Sequence, residues 1–78
     1  MKTTRYFEYV KNRRDRAFIK NDWIESVIQN PAKIEIQSDG RIRKWGKILE
    51  MDKYLRVILL ADGETVHNAF FDRSFRED

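Results

Sequence analysis

The spacing of apolar residues changes at Pro31, and the predicted secondary structure changes with it. Upstream of the proline, apolar residues recur at intervals of three and four, as on one face of a helix: Trp23, Ile24, Val27 and Ile28. Asp22 followed by Glu25 resembles a capping box at the start of this helix. Asn30 precedes the proline and disfavours helical backbone angles, so the helix is predicted to end there.

A shorter helix is favoured near the start of the chain, over residues 3–12. Tyr6, Phe7 and Val10 have spacings that suit one helical face, although the same run also alternates passably as a strand. Residues 13–21 either extend this first helix or form a polar elbow before the second one. Both alternatives stay open at the level of sequence.

After the proline, β-rich runs alternate with turn residues, which predicts four strands. The turns fall at residues 38–40, 50–53 and 62–63. The last of them contains Asp62-Gly63, a dipeptide that tolerates positive φ and suits a tight hairpin. The order of elements predicts an α+β fold in which two N-terminal helices pack on one face of a four-stranded antiparallel meander sheet, as a single domain over residues 1–78.

Alternation along the strands assigns side chains to two sheet faces. The face covered by the helices is predicted to carry Ile34, Ile36, Ile42, Ile48, Leu55, Val57 and Leu59. If Asp62-Gly63 is a two-residue turn, Ile58 lies opposite His67 and Arg56 lies opposite Ala69. The uncovered face then carries Arg43, Trp45, Tyr54, Arg56, His67 and Phe71. A three-residue loop would instead move His67 to the covered face, and the sequence leaves both registers open.

Length and composition exclude several classes of protein. Seventy-eight residues allow one thin core, since about 60% of the unfolded surface is buried at this size. With no cysteine and one histidine, the chain offers neither a disulfide framework nor a metal shell, and no cofactor is expected. No segment approaches the roughly 18 apolar residues of a membrane span. We therefore expect a soluble, cytoplasmic protein with no membrane partner.

The distribution of basic residues is more informative than the net charge of +3. Residues 11–16 hold four bases and one acid, and residues 41–47 hold four bases, no acid and one tryptophan. Cations next to an aromatic ring suit RNA, because they can engage phosphates and a base face together. The plainer alternative is a solvated strand face, which is the usual role of a charge run.

The chain resembles a family of small uncharacterised bacterial proteins in its order of two short helices and a four-stranded meander. It also resembles them in several short segments: Ile24-Glu25-Ser26-Val27-Ile28-Gln29-Asn30-Pro31, Asp39-Gly40-Arg41, Leu55-Arg56-Val57-Ile58 and the closing hairpin. Those proteins look like relatives of the RelE and ParE toxin superfamily and of the BrnT toxins. The resemblance covers most of the chain from about Asp15 to Arg73. It implies a RelE-like fold, a sheet that binds RNA, an antitoxin partner on the basic surface, and ribonuclease activity without a metal.

The resemblance also implies roles for individual residues. An endoribonuclease needs an activated 2′-hydroxyl, cations around a pentavalent phosphorane and a proton for the leaving oxygen. His67 would act as acid or base, while Arg43 and Arg56 would clamp the phosphate. RNA contacts would come from Arg41, Lys44, Trp45, Lys47, Tyr54 and Arg73, with Asp72 as a further candidate. No complete catalytic set of the toxins aligns with this chain.

The competing hypothesis is a noncatalytic interaction module or a homo-oligomeric small domain. In that case the basic sheet face docks a protein, or copies associate through Phe71 and an exposed edge strand. Arg56 has a matching alternative role, because a charge in an otherwise apolar strand must reach solvent, a ligand or a carboxylate. An ion pair with Asp72 or Glu50 would meet that need.

Overall fold

In the computed structural model, which describes residues 1–77, two helices precede a four-stranded antiparallel sheet. The elements are α1 (Arg5–Val10), α2 (Asn21–Gln29), β1 (Lys33–Ile36), β2 (Ile42–Ile48), β3 (Lys53–Leu59) and β4 (Val66–Phe71). The strands lie side by side in chain order, each antiparallel to the next. The predicted α+β class and the meander are therefore confirmed.

Helix α1 is shorter than its apolar spacing predicted. It begins after Thr4, whose hydroxyl accepts a hydrogen bond from the Phe7 backbone N–H, and it ends at Val10. The chain then turns, because the N–H of Arg13 bonds the Val10 carbonyl and the N–H of Ala17 bonds the Arg13 carbonyl. Of the two alternatives for residues 13–21, the structure has the polar elbow.

Helix α2 begins one residue before the predicted cap. Lys20 takes the N-cap position with an extended backbone and makes no side-chain capping bond, so the predicted capping box at Asp22 is wrong. Asp22 instead lies in the first turn, where its negative charge is favourable to the helix dipole. At the other end, Asn30 donates its N–H to the Ser26 carbonyl and α2 stops before Pro31, as predicted.

One apolar core lies between the helices and one face of the sheet. Its buried members are Phe7, Val10, Trp23, Ile24, Val27, Ile48, Leu55, Val57, Leu59, Val66 and Ala69. Four of the five predicted core positions of β2 and β3 are among them, and the fifth, Ile42, is partly buried against this core. Helix α1 contacts β4, and α2 contacts β2 and β3, so neither helix extends over β1. Ile34 and Ile36 share the covered face but stay 54% and 74% exposed for that reason.

The last hairpin follows neither predicted register along its whole length. Leu59 pairs with Val66, as the two-residue turn requires, but the next pair is Ile58 with Asn68. His67 is therefore the extra residue of a β-bulge, and strand parity changes at that point. The predicted pairing of Ile58 with His67 is wrong because of this one-residue insertion.

The bulge also changes the sheet face on which each of the two neighbouring phenylalanines of β4 lies, relative to the prediction. Arg56 pairs with Phe70 rather than with Ala69, so Phe70 shares the face of Arg56. Phe71 lies opposite Leu55 on the covered side, where it stacks on Phe18 at 5.9 Å between ring centroids. The prediction that Phe71 lies on the uncovered face is wrong.

Candidate nucleic-acid interface

The sheet face turned away from the core, called the open face below, carries most of the predicted site residues. The strand registers bring together Lys33, Glu35, Arg43, Trp45, Lys47, Tyr54, Arg56, Ile58, Asn68 and Phe70. Cations of β1, β2 and β3 thus meet aromatic rings of β2, β3 and β4 on one surface. The parity prediction for Arg43, Trp45, Tyr54 and Arg56 is confirmed.

At the centre of the open face, three N–H groups converge on one carboxylate oxygen. Arg56 donates from Nε at 3.1 Å and from Nη2 at 2.6 Å to Oδ2 of Asp72, and Trp45 donates from Nε1 to the same oxygen at 2.9 Å. The Asp72 side chain is only 8% exposed and that of Arg56 is 23% exposed. Of the two acids considered for Arg56, the structure thus selects Asp72, while Glu50 accepts from Trp23.

The hydrogen bonds set the protonation of this carboxylate. Burial alone would raise the pKa of Asp72, but the hydrogen bonds from Trp45, Ser74 and Arg56, together with the Arg56 charge, outweigh it. The pKa therefore lies below the ordinary aspartate value. Asp72 is a permanent anion at neutral pH, and it compensates the charge of Arg56.

Arginine and aromatic side chains form a continuous stack beside this ion pair. The Arg56 guanidinium carbon lies 5.3 Å from the centre of the Trp45 ring and 5.1 Å from that of Phe70. Arg16, from the elbow after α1, lies 5.2 Å from the Phe70 ring and donates to the Asn68 side chain at 2.6 Å. Such cation–π contacts contribute about 0.5–1 kcal/mol each at exposed sites and hold the guanidinium groups in place.

The segment after β4 covers one end of the open face. Phe75 stacks on Trp45 with 5.0 Å between ring centroids, and it lies 4.8 Å from the Tyr54 ring. Trp45 is 4% exposed as a result. The sequence analysis expects the ring of Trp45 to contact RNA, whereas in this arrangement the ring of Phe75 occupies the position where a base would stack.

The other predicted RNA contacts are distributed over the two faces. Arg43 contacts Glu35 at 3.4 Å on the open face. Lys47 pairs with Asp52 at 3.1 Å on the same face. Lys44 has the opposite parity, since it pairs with Val57, and its ammonium group donates to a carbonyl at the end of α2 at 2.9 Å. Arg41 and Arg73 are exposed beyond the ends of β2 and β4.

His67 lies in the bulge against the start of α1. Its Nδ1 is 3.1 Å from the Thr4 hydroxyl, and its ring stacks on Tyr6 with 5.0 Å between centroids. Burial, and secondarily the positive charge of Arg41, lower the pKa of His67 below its usual value. No hydrogen bond within residues 1–77 joins His67 to Arg43 or Arg56, so the three candidate catalytic side chains are held by different partners.

The lowered pKa of His67 predicts a pH dependence of stability. Because the folded pKa is depressed, the neutral ring contributes stability that is fully present above the unfolded pKa of about 6.5 and is lost as the pH falls through the folded pKa. The free energy of unfolding, measured by urea titration, should fall between pH 7 and pH 5. His67→Gln should flatten that part of the profile, while Tyr9→Phe, on the exposed side of α1, should keep it. An unchanged slope in His67→Gln would contradict this assignment.

Arg16, Phe70 and Phe75 were not among the sequence-based candidates. Arg16 belongs to the basic run of residues 11–16, which was the available signal, but its target on β4 is 52 residues away. Phe70 was missed because the bulge exchanges its face with that of Phe71. Phe75 stood alone in a charged tail, and nothing local indicated which surface it would cover.

Within residues 1–77, no group of three or more histidine, cysteine, aspartate or glutamate side chains could hold a metal ion. None of the helices in the same residues is long and apolar enough to cross a membrane. Comparisons of the chain with protein families, with curated proteins and with solved structures gave no match.

Proposed function

We propose that the protein is a toxin-like RNA-binding protein of the RelE kind and that RNA contacts its open face. The observation that carries this proposal is the stack of Arg16, Phe70, Arg56 and Trp45 with Arg43 and Lys47 beside it on the same surface. Phosphates bind guanidinium and ammonium groups. Because Phe75 covers Trp45, the rings that an unstacked base can reach on this face are those of Phe70 and Tyr54, which are half-buried. On the opposite face, the apolar side chains of β2, β3 and β4 pack against the helices.

The cations at the rim of the open face are available to a phosphate. Arg43 and Lys47 are partly exposed, with carboxylates as their present partners. Exposed ion pairs of this type contribute only about 0–1 kcal/mol, so a phosphate can replace the carboxylate at little cost. An antitoxin would be an acidic chain that competes for the same cations.

RNA cleavage by His67 with Arg43 and Arg56 is the narrower proposal. Arg43 lies on β2 and His67 on β4, which separates their backbones by two strand spacings, or about 10 Å. Both side chains would have to leave their present partners to meet at one phosphate. Binding needs only that phosphates replace the exposed carboxylate partners of Arg43 and Lys47, so the geometry supports RNA binding better than cleavage.

A matched pair of lysines tests the assignment of RNA to the open face. Lys47 and Lys53 lie at the same end of adjacent strands, are both exposed, and have opposite parity. We expect Lys47→Glu to weaken binding of a fluorescent single-stranded RNA roughly tenfold and to lower the slope of log affinity against log salt by about 1 to 2. Lys53→Glu, with the same charge change on the other face, should reduce affinity less than threefold.

Gel electrophoresis of the RNA recovered from the same samples distinguishes binding from cleavage. Fragments that disappear in His67→Ala and Arg56→Ala, while RNA affinity remains measurable, would support the endoribonuclease. Intact RNA with the expected lysine effects would support binding alone. Equal losses in both lysine variants, or no binding at low salt, would overturn the proposal and favour the protein-interaction module.

A further inference from the structure

The outer edge of β1 is open, in contrast to the opposite edge of the sheet. At β4, the N-terminal segment covers the start of the edge, because Thr3 bridges Val66 in parallel and the Thr4 N–H donates to the Val66 carbonyl at 3.0 Å. No strand or segment among residues 1–77 pairs with β1 on its outer side. Its two apolar side chains, Ile34 and Ile36, are more than half exposed.

The hydrogen-bonding pattern shows which backbone groups of β1 point outward. Gln37 donates its N–H to its cross-strand partner Arg41 at 2.8 Å, so Gln37 directs its backbone groups toward β2. In an antiparallel pair this direction alternates along the strand. Lys33 and Glu35 therefore also bond toward β2, whereas the N–H and C=O groups of Ile34 and Ile36 face solvent. Edges of this kind are templates for another strand.

We propose that β1 pairs antiparallel with β1 of a second copy of this chain, about a two-fold axis at Ile34. In this register Ile34 forms a hydrogen-bonded pair with its own symmetry mate. Lys33 of each copy then lies opposite Glu35 of the other, which places opposite charges together twice on the open face. The side chains of the strand are thus complementary to themselves in both charge and polarity.

A register shifted by two residues would also keep both open faces on the same side, but the charges of β1 disfavour it. If Ile34 paired with Ile36 of the second copy, the two Glu35 carboxylates would lie directly opposite each other, and like charges in that position are destabilising. Shifts by a single residue would place apolar side chains opposite charged ones. Lys33 normally discourages pairing at sheet edges. Its ammonium group lies 3.7 Å from Glu35 of its own strand, and only the proposed register also places it opposite an acid of the second copy.

The pairing extends each sheet to eight strands and keeps both open faces on the same side, because the two-fold axis is perpendicular to the sheet. The edge is only four residues long. Since stable interfaces bury about 1,200–2,000 Å² in total, we expect a reversible dimer whose population rises with concentration. The dimer forms without RNA, so its test is independent of the proposed function.

Because the chain has no cysteine, single cysteines report the register directly. The Cα atoms of a hydrogen-bonded antiparallel pair are about 5.5 Å apart, within the range of a disulfide. Under mild oxidation, Ile34→Cys should give a disulfide-linked dimer at least about tenfold faster than Ile36→Cys or Leu49→Cys, an exposed control on the β2–β3 turn. Equal rates in the three variants would overturn the pairing, and faster linkage at position 36 would overturn its register.

A charge exchange provides a second, cysteine-free measurement. By analytical ultracentrifugation, Lys33→Glu should lower the dimer association constant about tenfold or more, since both Lys–Glu pairs become Glu–Glu pairs. Adding Glu35→Lys should restore it to within about threefold of the wild-type value. Wild-type protein that remains monomeric at the highest soluble concentration, or a double variant no better than the single one, would refute the dimer.

Discussion

Asp72→Ala is expected to lower the free energy of unfolding by about 2–3 kcal/mol. The change removes the acceptor of three hydrogen bonds at Oδ2 and of two from Ser74 at Oδ1. It also leaves the Arg56 charge between two rings without its carboxylate. Loss of one partner from a fully buried pair costs about 3–5 kcal/mol, and the partial exposure of Arg56 reduces that figure. Urea denaturation at pH 7 measures the difference.

The matched control for this prediction is Asp15→Ala. Asp15 also contacts two arginines, Arg13 at 3.8 Å and Arg16 at 3.6 Å, but its side chain is largely exposed. We expect that substitution to change the free energy of unfolding by less than about 0.5 kcal/mol. A similar effect of both substitutions would contradict the central role of the Asp72 carboxylate.

The same pair predicts the sign of a stability change in acid. Because the pKa of Asp72 is lower in the folded state, its contribution is fully present above the unfolded pKa of about 4 and is lost as the pH falls toward the folded value. Wild-type protein should therefore lose stability more steeply below pH 4 than Asp72→Asn does.

Removal of Asp72 should have the opposite effect on RNA affinity. The carboxylate satisfies the guanidinium that lies at the centre of the open face, so its loss adds one net positive charge to that surface. If RNA contacts this face, the less stable Asp72→Asn protein should bind single-stranded RNA more tightly, by about threefold to tenfold at low salt. Decreased stability with increased affinity is a combination that general misfolding does not produce.

The first two hairpins could be predicted from sequence because their turns are local. Gly40 has a φ of 90°, as a three-residue loop with a left-handed glycine requires, and it sets Ile36 opposite Ile42. The second turn also has four residues, but it lies at residues 49–52 rather than at the predicted 50–53, so Ile48 pairs with Lys53 and only the predicted faces are retained. In both cases the residues that determine the register lie within the turn itself.

The third hairpin could not be predicted in the same way, because its register depends on distant contacts. The Asp62 carboxylate fixes the turn through the N–H groups of Glu64 and Thr65. The bulge that follows lies where the N-terminal segment joins β4, and His67 contacts Thr4, 63 residues earlier. The alternation of apolar and polar residues along β4 does not indicate the contact between His67 and Thr4.

The candidate site shows the same division between local and distant information. Arg56 needed a charged or polar partner, and Asp72 was one of two acids identified for it from the apolar character of β3. Which of the two would bind depended on the course of the chain after β4. The backbone N–H of Asp72 donates to the Tyr54 carbonyl at 2.9 Å, so the chain continues along β3 and brings the carboxylate to Arg56.

Gly46→Val is expected to destabilise the fold by about 3 kcal/mol, because helix α2 lies directly on this glycine. Gly46 is buried on the covered face of β2, opposite Leu55. A Cβ atom at this position would lie 3.0 Å from Cγ2 of Val27 and 3.5 Å from its Cα. A rotamer change can move the Cγ2 atom but not the Cα atom, so the branched side chain of valine must displace the helix.

Smaller substitutions separate the two contacts of Gly46. Gly46→Ala adds only the Cβ atom, and we expect a loss of about 1 kcal/mol, since Val27 can yield by a few tenths of an ångström. In a Val27→Ala background the nearest remaining atoms are the Cα and Cβ of residue 27, both at 3.5 Å, an ordinary contact distance. The effect of Gly46→Ala should therefore disappear there, which a double-mutant cycle of urea midpoints would measure.

Lys47→Val is the control for Gly46→Val. It introduces the same side chain at the next residue of β2, which points to the open face instead of toward helix α2. It should change the free energy of unfolding by less than about 0.5 kcal/mol, and a loss equal to that of Gly46→Val would contradict the placement of α2. Gly46→Ala leaves every cation of the open face in place, so the fraction of protein that remains folded should bind RNA with wild-type affinity. Adjacent residues of β2 point alternately to the core and to the open face. Substitutions on one face of this strand should therefore change stability, and substitutions on the other should change RNA binding.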